Sequence, residues 1–122
     1  MIVDDSRLAR IVLSKAIATL QPEWTQVEAG STDDALAIVD RQSVDVAVFD
    51  YNMPGRDGLS LAGELRERFP VMPLAIVTAN VQDEVIAGAR AVNATFVSKP
   101  INEETLRGFL SGAALRLRSA GK

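Results

Sequence analysis

Asp4-Asp5, Asp50, Thr78 and Ser98-Lys99-Pro100 each close a short run rich in valine, isoleucine or other apolar residues. If those runs are parallel strands, ligands bind in the crevice beyond their carboxyl ends, where three acids, a hydroxyl and an amine converge. Carboxylates gathered at one end of a sheet repel one another unless a cation lies between them. Oxygen ligands unaccompanied by His or Cys point to Mg²⁺, which keeps several waters and takes only one or two carboxylates. A magnesium ion, a lysine and a hydroxyl around one carboxylate are the parts of phosphoryl transfer, where catalysis is mostly positioning and charge neutralisation. Asp50 is then the nucleophile and forms an aspartyl phosphate. Lys99 pairs with one phosphoryl oxygen, Thr78 donates to a second and the metal meets a third. No side chain is left over as a base for an outside substrate.

Taken singly, each residue has a plainer reading. Asp5-Ser6 caps a helix, Asp50 opens the turn that Asn52-Met53-Pro54-Gly55 continues, and Lys99 is a solvated surface charge. The joint pattern favours the chemical reading.

Composition narrows the field further. The 122 residues contain no Cys and no His, which removes thiol nucleophiles, cysteine zinc sites, haem ligation and imidazole catalysis. Thirteen Lys and Arg against sixteen Asp and Glu leave a net charge of −3, no footprint for a nucleic-acid backbone, so direct nucleic-acid binding is not expected. With 48% hydrophobic residues the chain carries enough apolar material for one domain with a real core. No apolar stretch approaches the roughly 20 residues of a membrane span, and Asp4 and Asp5 stand where a signal peptide carries positive charge, so a soluble cytoplasmic protein is expected.

The elements that must position the chemistry alternate, strand then helix, five times, the pattern of a parallel sheet covered on both faces. Strands are predicted at Ile2-Val3, Gln26 to Ala29, Val44 to Phe49, Leu74 to Thr78 and Thr95 to Ser98. Leu8, Ile11, Val12 and Leu20 mark a first helix, and Ala35 to Val39 a short second. Leu61, Leu65 and Phe69 mark a third, closed by Pro70, and a fourth runs from about Val81 to Val92. The last has Leu106, Phe109, Leu110, Ala113, Ala114 and Leu117 at helical spacing behind an Asn102 cap, and its stripe should cover the sheet. Nothing along the chain reads as a linker, a repeat or a low-complexity tract.

These residues resemble the receiver domain of two-component response regulators over essentially the whole chain. The resemblance is carried by Asp4-Asp5-Ser6 after a short strand and by Asp50 followed by Asn52-Met53-Pro54-Gly55-Arg56-Asp57-Gly58. Thr78-Ala79, and Phe96 three residues before Lys99-Pro100, complete it in family order. It implies an α/β fold of the flavodoxin-like kind, a doubly wound, five-stranded parallel sheet with five helices. It also implies that Asp50 accepts a phosphoryl group from a phosphohistidine of a sensor histidine kinase or phosphotransfer protein. By the same comparison Asp5, Asp50 and the Asn52 carbonyl bind Mg²⁺ directly, Asp4 reaches it through water, and Lys99-Pro100 is a cis peptide. The Thr78 hydroxyl swings to the phosphoryl group and Phe96 moves inward, remodelling the fourth helix, fifth strand and fifth helix for a downstream protein target. Asn52 and Asn80 occupy positions that modulate dephosphorylation.

Three features depart from the family pattern. Only Met1, Ile2 and Val3 precede the acid pair, a short first strand that suits a trimmed chain or a late-assigned start. Val92-Asn93 replaces a usual Gly after the fourth helix, Asn being the best substitute at a left-handed cap. Phe96 lacks the hydroxyl of a tyrosine.

Rival readings fit less well. A haloacid-dehalogenase-type phosphatase shares the parts but places its nucleophile first and its acid pair last, with a second Asp where Asn52 stands. A degenerate receiver acting as a plain interaction module would not need all five positions filled. A nucleotide-binding Rossmann domain lacks its glycine-rich loop. With no effector domain after Lys122, a single receiver over residues 1–122 is expected, either stand-alone or excised from a longer chain, with the stand-alone reading slightly favoured. Arg116, Arg118 and Lys122 read as cations favoured by the helix dipole rather than as a partner surface.

Overall fold

A computed structural model describes residues 1–79 and 82–121. Ten elements alternate: β1 (Ile2–Val3), α1 (Arg7–Leu20), β2 (Glu28–Ala29), α2 (Thr32–Arg41), β3 (Ala47–Asp50), α3 (Gly58–Arg68), β4 (Leu74–Thr78), α4 (Asp83–Ala91), β5 (Thr95–Ser98) and α5 (Glu103–Ser119). The strands are all parallel in the order β2-β1-β3-β4-β5, so the chain winds one way from β1 to β2 and the other way from β3 to β5. The reversal opens a crevice where β1 and β3 lie side by side.

Successive strand residues point to opposite faces, and the core divides accordingly. Val3, Phe49, Leu74 and Ile76 pack with Ile38 of α2, Leu61 and Leu65 of α3 and Ala89 of α4. Ile2, Val48, Ala75 and Val77 pack with Leu13 and Ile17 of α1 and Leu106 and Leu110 of α5. β3 and β4 are buried along their whole length, as expected of central parallel strands.

Helix ends follow local chemistry. Ser6, Ser31, Asp57 and Asn102 each accept a backbone N–H in the first turn of the helix that follows, and Asn102 forms a reciprocal capping box with Thr105. Asn93, with φ 55°, takes the left-handed position after α4. The expected start of the fourth helix at Val81 lies outside the described residues, as do Asn80 and Lys122; the described part of α4 begins at Asp83.

The first helix holds Leu8, Ile11, Val12 and Leu20 as expected; Leu8, Ile11 and Val12 face solvent, Leu8 at 71% exposure, while Leu13, Ala16 and Ile17 form the buried face. Two expectations need correction. The second helix is longer than Ala35 to Val39, because Ser31 caps it one turn earlier. β2 and β3 begin later than Gln26 and Val44. The β1 ladder starts at Ile2, opposite Glu28 and Val48, and on the other side Pro73 has no N–H with which to extend β4.

Candidate functional site

The carboxyl ends of four neighbouring strands build the site. Asp50 is the last residue of β3, Thr78 the last of β4, and Lys99 follows the last residue of β5, while Asp4 and Asp5 begin the loop after β1. Carboxylate oxygens of Asp4, Asp5 and Asp50 lie within 4.8 Å of one another. Asp4 and Asp50 are buried, Thr78 is fully enclosed, and Asp5 is open to solvent. Lys99 Nζ stands 3.1 Å from Asp50 Oδ1. Its backbone N–H donates to the Thr78 carbonyl at 3.0 Å, and the Lys99-Pro100 peptide is cis.

Burial is the largest influence on Asp50 and raises its pKa, with the Asp5 charge adding to the effect. The Lys99 ammonium and the Tyr51 backbone N–H oppose it. Asp4 is likewise raised, first by burial and then by the charges of Asp50 and Asp5, against a 2.9 Å hydrogen bond from the Ser6 backbone N–H and the charge of Lys99. Among the described residues the buried Oδ1 of Asp50 has Lys99 as its ion-pair partner and no conventional hydrogen bond. A buried anionic oxygen in that condition, beside two further carboxylates, is the donor set a hard divalent cation fits.

Two further residues, Arg10 and Gly58, shape the site. Arg10 Nη1 donates to the Asp4 carbonyl at 2.6 Å while its Nε pairs with Glu28 at 3.1 Å, tying the acid pair to α1 and β2. A Cβ on Gly58 would stand 2.5 Å from the Asp50 carbonyl oxygen and 2.9 Å from Tyr51 Cα, so only glycine lets the β3–α3 loop fold back this closely on the strand. No spacing rule in the sequence singles out Arg10. Gly58 closes the run from Asp50 that carries the resemblance, but its close packing on the strand is visible only in the fold.

Phe96 is half-buried on β5, beside Ile76 in the ladder; the strand's other residues are exposed except Val97. Asn52 is exposed in the β3–α3 loop. A cavity of about 790 Å³ opens at the opposite end of the sheet, between Trp24, Val27, Val44, Val46 and Leu117, and contains none of the candidate residues. No helix among the described residues is long and apolar enough to cross a membrane.

Comparison with known proteins gives this arrangement its class. Residues 1–111 match the response regulator receiver domain, and the chain belongs to that family of phosphorylation-dependent signalling switches. It is 38% identical over 123 residues to the cyclic di-GMP phosphodiesterase response regulator RpfG of Xanthomonas campestris, covering 97% of this chain and 32% of that protein. Among solved structures it resembles the Vibrio cholerae chemotaxis protein CheY4, with TM-score 0.82, 28% identity, and coverage of 92% of this chain and 94% of that one. It shares its fold with the Thermotoga maritima response regulator TrrA in complex with Mg²⁺-BeF, at TM-score 0.80, 23% identity, and coverage of 92% and 95%. The chain spans less than half the length of RpfG and of other curated relatives that it matches.

Proposed function

We propose that Asp50 is the phosphoryl acceptor of this receiver and that the donor is a phosphohistidine on a sensor kinase or phosphotransfer protein. The observation that carries this reading is the buried carboxylate of Asp50, paired with Lys99 at 3.1 Å and crowded by two further carboxylates. A carboxylate oxygen of Asp50 attacks phosphorus as the P–N bond breaks and the imidazole leaves with the bond's electron pair. The ammonium of Lys99 and the hydroxyl of Thr78 would take two of the phosphoryl oxygens. Burial of Asp50 and Thr78 strengthens the interaction at the hydroxyl, while Lys99 stays partly open to solvent.

Asp5, Asp50 and the Asn52 carbonyl would hold Mg²⁺, with Asp4 reaching it through water. That group supplies positive charge to the acids and to the incoming phosphoryl oxygens. The TrrA complex with Mg²⁺-BeF supports a magnesium ion in this fold by analogy. Phosphorylation adds charge on the order of −1.5 to −2, and the protein responds only as far as its two conformations differ in their contacts with that charge. Thr78 and Phe96 are the switch residues in this reading: the first meets the phosphoryl group, and the second lies half-buried on the exposed edge strand. A downstream protein target would read the surface of α4, β5 and α5.

Intact mass after incubation with acetyl phosphate and Mg²⁺ tests the proposal. A gain of about 80 Da for one phosphoryl group, absent from Asp50→Asn and from a chelated sample, is expected. No gain together with no beryllofluoride binding would instead favour a non-phosphorylated interaction module.

A further inference from the structure

The loop between β3 and α3 carries Asn52 and has no regular structure of its own, so something outside it must set its path. One anchor is apolar: Met53 is buried against the α2–α3 face of the core. The other is polar. Thr32, the first residue of α2, is 2% exposed, and its hydroxyl donates to the Arg56 carbonyl at 3.0 Å across twenty-four residues of sequence. That carbonyl takes no backbone hydrogen bond among the described residues. The Arg56 guanidinium turns the opposite way, donating to Ser60 Oγ at 2.9 Å and pairing with Glu64 on α3. Arg56 is therefore held at its carbonyl by α2 and at its side chain by α3, with the positive φ of Gly55 making the turn before it.

The Thr32 hydroxyl is free for this task because α2 does not need it. Ser31 caps the helix with its own hydroxyl, which accepts the Asp34 N–H at 3.1 Å. A buried threonine that donates to a carbonyl on a distant loop determines where that loop sits.

We propose that Thr32 is a positioning residue for the metal site: by holding the Arg56 carbonyl it sets the β3–α3 loop, and with it the Asn52 carbonyl, for a divalent cation. The inference rests on the proposed placement of Mg²⁺ at Asp5, Asp50 and Asn52. With the hydrogen bond present, cation binding does not have to order the loop. Without it, part of the binding free energy goes into that ordering. Groups one shell outside a metal typically change its affinity by about 10- to 100-fold, and a single neutral hydrogen bond belongs at the lower end, about tenfold.

The test is a Mg²⁺ titration of the full chain followed by amide ¹H–¹⁵N correlation spectra, which report the dissociation constant and the integrity of the fold in one sample. Thr32→Val removes the hydroxyl at nearly constant shape, Thr32→Ser restores it, and Thr32→Ala guards against a packing artefact of the valine. The expected result is a Kd for Mg²⁺ about tenfold weaker in the valine and alanine variants and close to wild type in the serine variant, with dispersed spectra throughout. Equal Kd values in wild type and Thr32→Val would overturn the role of Thr32 while leaving the metal site standing. A serine variant as weak as the valine variant would also overturn it, since the hydroxyl would then not be the cause. Wild-type spectra that do not respond to Mg²⁺ would remove the metal reading itself, and the inference with it.

Discussion

Replacing Asp50 with asparagine removes a charge that the metal-free fold tolerates poorly, so the variant should be more stable than the wild type when no divalent cation is present. The three carboxylates have oxygens within 4.8 Å of one another. At an effective dielectric of about 20, each repulsion at that limiting separation is worth about 3.5 kcal/mol, hence about 7 kcal/mol for Asp50 with Asp4 and Asp5 together. The opposing attraction to Lys99 at 3.1 Å is worth about 5 kcal/mol on the same footing. Solvent at Asp5 and Lys99 screens both sides of this balance. We therefore expect a net gain of about 1–2 kcal/mol for Asp50→Asn, or about 5 °C in Tm, measured by urea and thermal unfolding in chelator at pH 7.

The pH dependence follows from the raised pKa of Asp50. The folded state holds the Asp50 proton more tightly than the unfolded state does. That contribution to stability is present in full below the unfolded value of 3.8 and is lost as pH rises through the folded-state value. The advantage of Asp50→Asn should accordingly shrink as pH falls through the same window. Mg²⁺ should reverse the order at neutral pH, because ligand at a hundred times Kd adds about 2.7 kcal/mol to the wild type only. A variant equal to or less stable than wild type in chelator at pH 7 would refute the electrostatic reasoning.

Lys99→Ala should retain Mg²⁺ binding yet weaken switching, read as a smaller ratio of partner affinities between phosphorylated and free protein; an unchanged ratio would contradict its role. Gly58→Ala forces a Cβ to 2.5 Å from the Asp50 carbonyl. It should lower stability by about 2 kcal/mol or more and slow acetyl-phosphate labelling, measured by urea unfolding and intact mass. Asn102→Ala breaks the capping box of α5, at a cost of about 1 kcal/mol, with labelling of Asp50 unaffected.

Much of this protein is written locally in its sequence. Apolar runs ending in Asp50 and Thr78 mark the central strands, because a strand buried on both faces has no use for polar residues until it leaves the core. Caps at Ser6 and Asn102 and the left-handed Asn93 are decided within a few residues of themselves, so they were legible as well. Asp4, Asp5, Asp50, Thr78 and Lys99 could be named as convergent since parallel strands bring all their carboxyl ends to one edge.

Tertiary structure decided what depends on distant partners. α1 has two apolar stripes, and only packing against the sheet and α5 chose Leu13, Ala16 and Ile17 over Leu8, Ile11 and Val12 as its buried face. The starts of β2 and β3 were set by the neighbouring strand or by Pro73, information held elsewhere in the chain. The groups that shape the site without belonging to a motif, Arg10 on the Asp4 carbonyl and Thr32 on the Arg56 carbonyl, act through contacts that no spacing encodes, and the close approach of Gly58 to Asp50 is visible only in the fold. A pattern of residues announces which side chains can do chemistry, whereas the distances that make Asp50 a buried, crowded carboxylate arise only when β1, β3 and β5 stand side by side with β4 in one sheet.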